Sequence, residues 1–128
     1  MKKQKKIARS VWYGLEGTSY DNIAQELPCK DHSSRKWVSI YAIYKYSFSG
    51  DPHQYYDFIH KSKGFRFSIV VFTLAIKEIG SSDGIDDRDV VILNFVPVNS
   101  EEDIYTVLER LAINPELFCP PWRCGYPI

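Results

Sequence analysis

The chain lacks the short motifs that commonly mark an enzyme or a cofactor site. Its 128 residues contain no glycine-rich phosphate loop, no serine nucleophile elbow and no HExxH-type zinc motif. The sequence therefore predicts no catalytic residues and no cofactor. It favours a protein that acts by binding another molecule.

The chain also lacks a net charge. Sixteen basic and sixteen acidic residues cancel, so no overall field draws it to nucleic acid or to an anionic membrane. Binding to either would need a local patch. The predicted partner is therefore another protein.

Paired cysteines and long apolar runs are missing as well. Three cysteines, an odd number, do not form a secreted disulfide framework. The basic start, residues 1–6, resembles a signal peptide only until Arg9 and Glu16 interrupt the apolar run that should follow. The apolar run at 65–76 is too short to span a bilayer and contains Arg66. These features predict a cytoplasmic protein without a membrane segment.

Two apolar runs are the clearest positive feature. Residues 65–79 and 89–98 are apolar at successive positions, which is typical of strands buried on both faces. Residues 37–48 alternate between two faces and are rich in aromatic and β-branched side chains, so they predict a third strand. Residues 7–15 fit either a strand or a helix.

Three helices complete the prediction. The first lies near 19–27 and ends at Pro28, the second lies near 52–62, and the third lies near 100–112 with Ser100 as its N-cap. Helices beside a mainly antiparallel sheet define an α+β fold. A chain of this length, residues 1–128, predicts a single globular domain.

One segment resembles a known family. The run Leu-Glu-Gly-Thr-Ser-Tyr-Asp-Asn-Ile-Ala-Gln-Glu-Leu at 15–27 is similar to the entry of the helix-turn-helix in sigma-factor region 4 and related regulators. The resemblance implies a DNA-binding regulator that uses residues 5–40. A recognition helix should then follow Leu27. Pro28 and a β-rich segment stand there instead, so a strand at 37–48 would remove the recognition helix.

An acidic stretch joins the two buried strands. Asp83, Asp86, Asp87 and Asp89 place four carboxylates within seven residues. A hard cation would suit them, although their spacing does not match an EF-hand. A solvated Asp-Gly turn and a surface that docks on a basic partner are the other interpretations. For the partner surface we predict these four residues together with Tyr56, because tyrosine is enriched at interfaces.

Two further sets of residues have chemical potential. Cys29, His32, Cys119 and Cys124 would suit a tetrahedral zinc ion if the two ends of the chain met. His53, Asp57 and His60 share one face of the predicted second helix, where they are raw material for acid–base catalysis or simply a solvated face. We predict neither a metal site nor a catalytic site from them.

The prediction is thus a non-enzymatic protein-binding domain, of the inhibitor or immunity type. Its acidic loop and exposed aromatic side chains would mask a basic surface of the partner. The DNA-binding regulator is the alternative. The sequence leaves open the partner's identity and whether an exposed edge strand joins two copies.

Overall fold

Four strands form one antiparallel sheet in the computed structural model, which describes residues 5–50, 55–80 and 84–128. The strands are β1 (Asn22–Leu27), β2 (Ser34–Ala42), β3 (Phe67–Ala75) and β4 (Val91–Val98). Their order in the sheet is their order in the chain, so each strand pairs with the one before it.

Three α-helices accompany the sheet within the described ranges: α1 (Arg9–Glu16), α2 (Asp57–Lys61) and α3 (Glu101–Arg110). Short 3₁₀-helices lie at Ile43–Lys45, Ile76–Glu78, Pro115–Leu117 and Pro121–Arg123. The predicted α+β fold is confirmed. No helix in the described ranges has the length and apolar character needed to cross a bilayer.

The core lies on both faces of the sheet. The two central strands, β2 and β3, are buried over most of their length. On one face, α1 and α3 cover Val38, Ile69 and Val71 with Trp12, Ile104 and Leu108. On the other face, which we call the α2 face, Trp37, Phe72 and Leu74 pack with Phe58 of α2 and with Tyr126 of the C-terminal segment. The prediction of a strand buried on both faces holds for 67–75 within the run 65–79.

The helix predicted near 19–27 is wrong. The chain instead forms β1, in which Ile23, Ala24 and Gln25 are buried and pair with Ile40, Ser39 and Val38 of β2. The apolar positions suit one helical face, but local propensity is a weak prior that tertiary pairing overrides. Pairing with β2 gives the backbone of this segment its hydrogen-bond partners and also buries its apolar side chains.

The helix-turn-helix prediction is wrong for the same reason. Residues 7–15 resolve as helix, since α1 spans Arg9–Glu16 and buries Trp12 and Leu15. The strand β1 and most of β2 follow it within residues 5–40. No recognition helix is therefore present in this part of the chain.

Several element boundaries differ from their predictions. The strand predicted at 37–48 begins earlier, at Ser34, and ends at Ala42. Beyond it the chain turns into a 3₁₀-helix, and the Lys45 ammonium donates hydrogen bonds to the carbonyls of Leu15 and Tyr20. The helix predicted at 52–62 is the shorter α2, and residues 51–54 lie outside the described ranges.

The two edges of the sheet differ in whether another segment covers them. The β1 edge is covered: Ala24 and Cys119 exchange backbone N–H···O bonds of 3.0 Å in both directions. The Gln25 amide adds a bond of 2.8 Å to the Asn114 carbonyl. On the opposite edge, β4 pairs only with β3 in the described part of the chain. One edge is thus closed by the C-terminal segment and the other is open.

The predicted cap of α3 is confirmed, and it generates a stability prediction. The Ser100 hydroxyl accepts the N–H of Asp103 at 3.1 Å. Ser100→Ala should lower the free energy of unfolding by about 0.5–2 kcal/mol, because it leaves an N-terminal amide of the helix without its acceptor. Urea denaturation followed by circular dichroism measures the change.

Thr106→Ala is the matched control. Thr106 is exposed on the same helix and donates only to the Glu102 carbonyl of the preceding turn. Its replacement should change stability by less than about 0.5 kcal/mol. Equal losses in the two variants would contradict a capping role for Ser100.

Candidate partner-binding surface

The acidic loop, residues 84–90, folds back on itself directly before β4. The Asp86 carboxylate accepts the N–H of Arg88 at 2.9 Å and its guanidinium at 3.1 Å. Asp89 accepts the N–H of Asp86 at 3.0 Å. Predicted residue Asp83 lies outside the described residues. Two of these bonds tie a side chain of the loop to a backbone N–H of the loop itself.

Two hydrogen bonds anchor the acidic loop to the start of α2. The Tyr56 hydroxyl donates to the Ile85 carbonyl at 2.7 Å. The Asp87 carboxylate accepts the N–H of Asp57 at 2.9 Å, which satisfies one of the free amides at the start of that helix. The structure thus brings Tyr56 together with the acidic loop, although the two are separated by about thirty residues of sequence.

The charge state of the surface follows from these contacts. Burial, and then the nearby charges of Asp87, Asp86 and Asp89, raise the pKa of Tyr56. Hydrogen bonds from Arg88 lower the pKa of Asp86. At neutral pH the phenol is therefore a protonated donor and Asp86 is ionised. The loop carries three described carboxylates against the single guanidinium of Arg88, so its charge is negative.

Two clefts flank α2. One, of about 220 Å³, lies between α2 and β4 and is lined by Asp57, Lys61, Asp87, Ile92 and Phe95 among others. The other, of about 310 Å³, is lined by four tyrosines (Tyr41, Tyr46, Tyr55 and Tyr56) and by other residues that include Asp21. We call the second the tyrosine cleft. Tyr56 belongs both to its wall and to the anchor of the acidic loop.

The aromatic side chains near the loop are less exposed than the prediction required. Tyr41 is buried, while Tyr46 and Tyr55 are half-buried and meet edge to face with ring centroids 5.0 Å apart. The most exposed aromatics, Tyr13 at 63% and Trp122 at 67%, belong to α1 and to the C-terminal segment. The aromatic side chains near the loop thus line a cleft, and the most exposed rings lie elsewhere on the protein.

Sequence reasoning missed one exposed segment. The run 89–98 was predicted to be buried on both faces, but Val91, Ile92 and Leu93 are exposed. They lie on an edge strand, which pairs with β3 alone in the described residues. Pro97 was the signal in the sequence, because proline inside a sheet is confined to edge strands and bulges.

The zinc alternative is not supported by the positions of its residues. Cys29 and His32 lie in the loop between β1 and β2, while the Cys119 thiol contacts Cys124 in the C-terminal segment. All three cysteines are free thiols, and no three histidine, cysteine or acidic residues of the described ranges are placed to hold a metal ion. Burial and the neighbouring Cys119 raise the pKa of Cys124 to about 11.

The residues of the catalytic alternative do not form a pair. Asp57 makes an ion pair of 2.9 Å with Lys61. The His60 ring packs against Phe48 and Tyr55, with ring centroids 5.8 and 5.7 Å away. His53 lies outside the described residues. The structure therefore provides no hydrogen bond between an imidazole and a carboxylate on α2.

No family model, curated protein or solved structure matches this chain. Its function must therefore be argued from its own surface.

The anchor of the acidic loop is testable by removing one oxygen atom. Tyr56→Phe should speed amide hydrogen exchange in residues 84–90, because the Ile85 carbonyl loses its donor. The free energy of unfolding should fall by about 0.5–1.5 kcal/mol. Hydrogen–deuterium exchange with mass spectrometry measures the first effect and urea denaturation the second.

Tyr13→Phe serves as the control, since Tyr13 is exposed on α1, far from the loop in the sequence. It should leave exchange in the loop unchanged. If Tyr56→Phe also leaves it unchanged, the phenol does not hold the loop.

Proposed function

We propose that this chain is a non-enzymatic protein-binding domain whose acidic loop masks a basic surface of another protein, as an inhibitor or immunity-type protein does. The observation that carries the proposal is the anchored loop. The Tyr56 hydroxyl donates to the Ile85 carbonyl at 2.7 Å and the N–H of Asp57 donates to the Asp87 carboxylate at 2.9 Å, while Asp86 and Asp87 remain exposed to solvent. The negative charge is thus presented in a prearranged form.

A prearranged loop suits partner binding energetically. Ordering a flexible segment costs free energy at the moment of association, and a segment that is already ordered avoids much of that cost. Exposed carboxylates attract a basic partner over several ångströms and raise the association rate. The internal hydrogen bonds of the loop therefore order it in advance of binding, while its net charge stays negative.

The tyrosine cleft gives this surface an aromatic neighbour. Protein interfaces commonly combine an aromatic centre with a charged rim. Tyr55 and Tyr56 line the cleft beside the loop, so a basic side chain with a long aliphatic stem could pack on the rings while its charged end meets the carboxylates. Arginine and lysine both fit this description.

We further propose that the protein works in a reducing compartment, and we assign it no catalytic residue or cofactor. Free thiols at Cys29, Cys119 and Cys124 support a cytoplasmic setting, where thiols stay reduced. The DNA-binding alternative requires a recognition helix after Leu27, and the strand β2 occupies that part of the chain. Any contact with nucleic acid would have to use another surface.

Neutralising the loop tests the proposal. In the triple variant Asp86→Asn, Asp87→Asn and Asp89→Asn, each new amide oxygen can still accept the N–H that its carboxylate accepts now. The fold of the loop is thus kept while its charge is removed. The association rate with a basic protein that co-purifies from the native host should fall by about tenfold or more, with a weaker dependence on salt.

An equal change of charge elsewhere is the control. Glu102, Glu109 and Glu116 are exposed on or after α3, and their replacement by glutamine should leave the association rate within about twofold of the wild type. Stopped-flow or surface-plasmon measurements at two salt concentrations compare the variants. Equal effects of the two triple variants would refute the role of the loop. Nucleic acid that co-purifies and leaves at high salt would favour the DNA-binding alternative.

A further inference from the structure

The C-terminal segment after α3 passes around the β1 edge from one face of the sheet to the other. Phe118 belongs to the core that the sheet forms with α1 and α3. Cys124 and Tyr126 pack at the border of the core on the α2 face. The change of face therefore takes place within residues 119–124, and we call these six residues the crossing.

Backbone hydrogen bonds hold both ends of the crossing. At its start, Cys119 exchanges N–H···O bonds of 3.0 Å with Ala24 of β1. The 3₁₀-helix Pro121–Arg123 follows, and the N–H of Cys124 donates to the Pro121 carbonyl at 3.4 Å. This tight turn folds the chain back on itself. Residue 124 is thus brought close to residue 119.

Two thiols meet at the crossing. The side chains of Cys119 and Cys124 lie within hydrogen-bonding reach of each other. The Cys119 sulfur lies 3.5 Å from the Ala24 carbonyl oxygen, and the Cys124 sulfur lies 3.6 Å from that of Pro121. Both cysteines are half-buried, so solvent reaches them. Cys29 lies in the loop after β1 and takes no part in this contact.

The contact is suited to a covalent bond between the two sulfur atoms. A disulfide forms without backbone movement only where two cysteine side chains already face each other at short range. The turn at Pro121–Arg123 provides this arrangement in the reduced protein. The bond would close a ring that contains only the crossing itself, so the strands and helices would keep their places.

We propose that Cys119 and Cys124 are a redox-sensitive dithiol, which a low-molecular-weight disulfide such as glutathione disulfide converts to an intramolecular disulfide. The thiolate of Cys119 attacks one sulfur of the small disulfide, which forms a mixed disulfide and releases one small thiolate. The thiolate of Cys124 then attacks the Cys119 sulfur and releases the second. The two protons of the protein thiols pass to the released thiolates. The products are one protein disulfide and two small thiols.

The surroundings of the two thiols assign this order of attack. Burial and the neighbouring Cys119 raise the pKa of Cys124 to about 11, so very little of it is thiolate at neutral pH. Because the thiolate is the nucleophile, Cys124 is poorly suited to attack a molecule in solution. Its closeness to Cys119 offsets this in the second step, since attack within one chain needs no further encounter.

The disulfide acts on the β1 edge. In the reduced protein the crossing is held to β1 by the bonds between Cys119 and Ala24. Closing the ring restricts the conformations of the open segment, so opening becomes less favourable after oxidation. The inference goes beyond the proposed function and does not rest on it, because the acidic loop and its anchor on α2 are not involved.

Trypsin digestion after incubation in glutathione redox buffers tests the disulfide. Trypsin cleaves after Arg110 and Arg123, so residues 111–123 and 124–128 stay joined only if a disulfide links Cys119 to Cys124. Free thiols are first blocked with iodoacetamide and the chain is unfolded. Mass spectrometry should then find the joined species in wild type from the oxidising buffer, and two separate alkylated peptides from the reducing buffer.

Substitutions test the pairing and the order of attack. Cys29→Ser is the matched control and should form the joined species as completely as the wild type. Cys124→Ser should accumulate a mixed disulfide with glutathione at Cys119, because the second step is missing. Cys119→Ser should react at Cys124 at least about tenfold more slowly, because so little of that thiol is ionised. Thermal denaturation checks that the variants fold.

Amide hydrogen exchange followed by NMR measures the effect on the edge. Oxidation should slow exchange at Ala24 and Cys119 by at least about threefold, and Cys124→Ser should show no such difference between the buffers. Absence of the joined species from the oxidising buffer would overturn the proposal, as would a disulfide of Cys29 with either cysteine in its place. Faster reaction at Cys124 would overturn the order of attack, and unchanged exchange would overturn the effect on the β1 edge.

Discussion

Burial of β2 and β3 on both faces is the constraint on which the rest of the structure depends. A strand without a polar face must be covered from both sides, and the described ranges contain three short α-helices with which to do it. Two of them, α1 and α3, cover one face. The other face needs α2, the preceding aromatic segment and the C-terminal residues together. This demand explains why segments distant in sequence converge around α2.

The acidic loop owes its shape to that convergence. It is joined to α2 because Tyr56 and Asp57 reach it from the segment that covers the sheet. Ile85, whose carbonyl accepts the Tyr56 hydroxyl, also packs at the border of the α2-face core. A solvent-exposed set of carboxylates thus rests on an apolar base. The position of the charged groups therefore depends on how Ile85 and Tyr56 pack in the core below them.

The parts of the fold that depend on local rules could be predicted from the sequence. Ser100 followed by acidic residues marked the start of α3, and the apolar run around 67–75 marked a central strand, because capping and two-sided burial leave direct traces in composition. The acidic loop and Tyr56 were also named together from composition. Their hydrogen bond could not be foreseen, since it depends on where α2 is placed.

The parts that depend on tertiary pairing could not be predicted. Ile23 and Ala24 fit a helix as well as a strand, and only the partner strand β2 decides between them. The exposure of Val91–Leu93 also follows from the sheet order, of which Pro97 was the one local sign. An apolar residue looks identical in the sequence whether its strand is central or at an edge, and sheet order is not a local property.

The closing of the β1 edge has a consequence for how the chain matures. Ala24 and Cys119, whose backbones pair there, are 95 residues apart. A ribosome releases the N-terminal elements first, so β1 emerges long before the segment that will cover it. Until Cys119 has been synthesised, the β1 edge is therefore uncovered, and its free backbone groups could pair with a neighbouring chain. The β1 edge can thus be covered only late in synthesis, because the segment that covers it lies near residue 119.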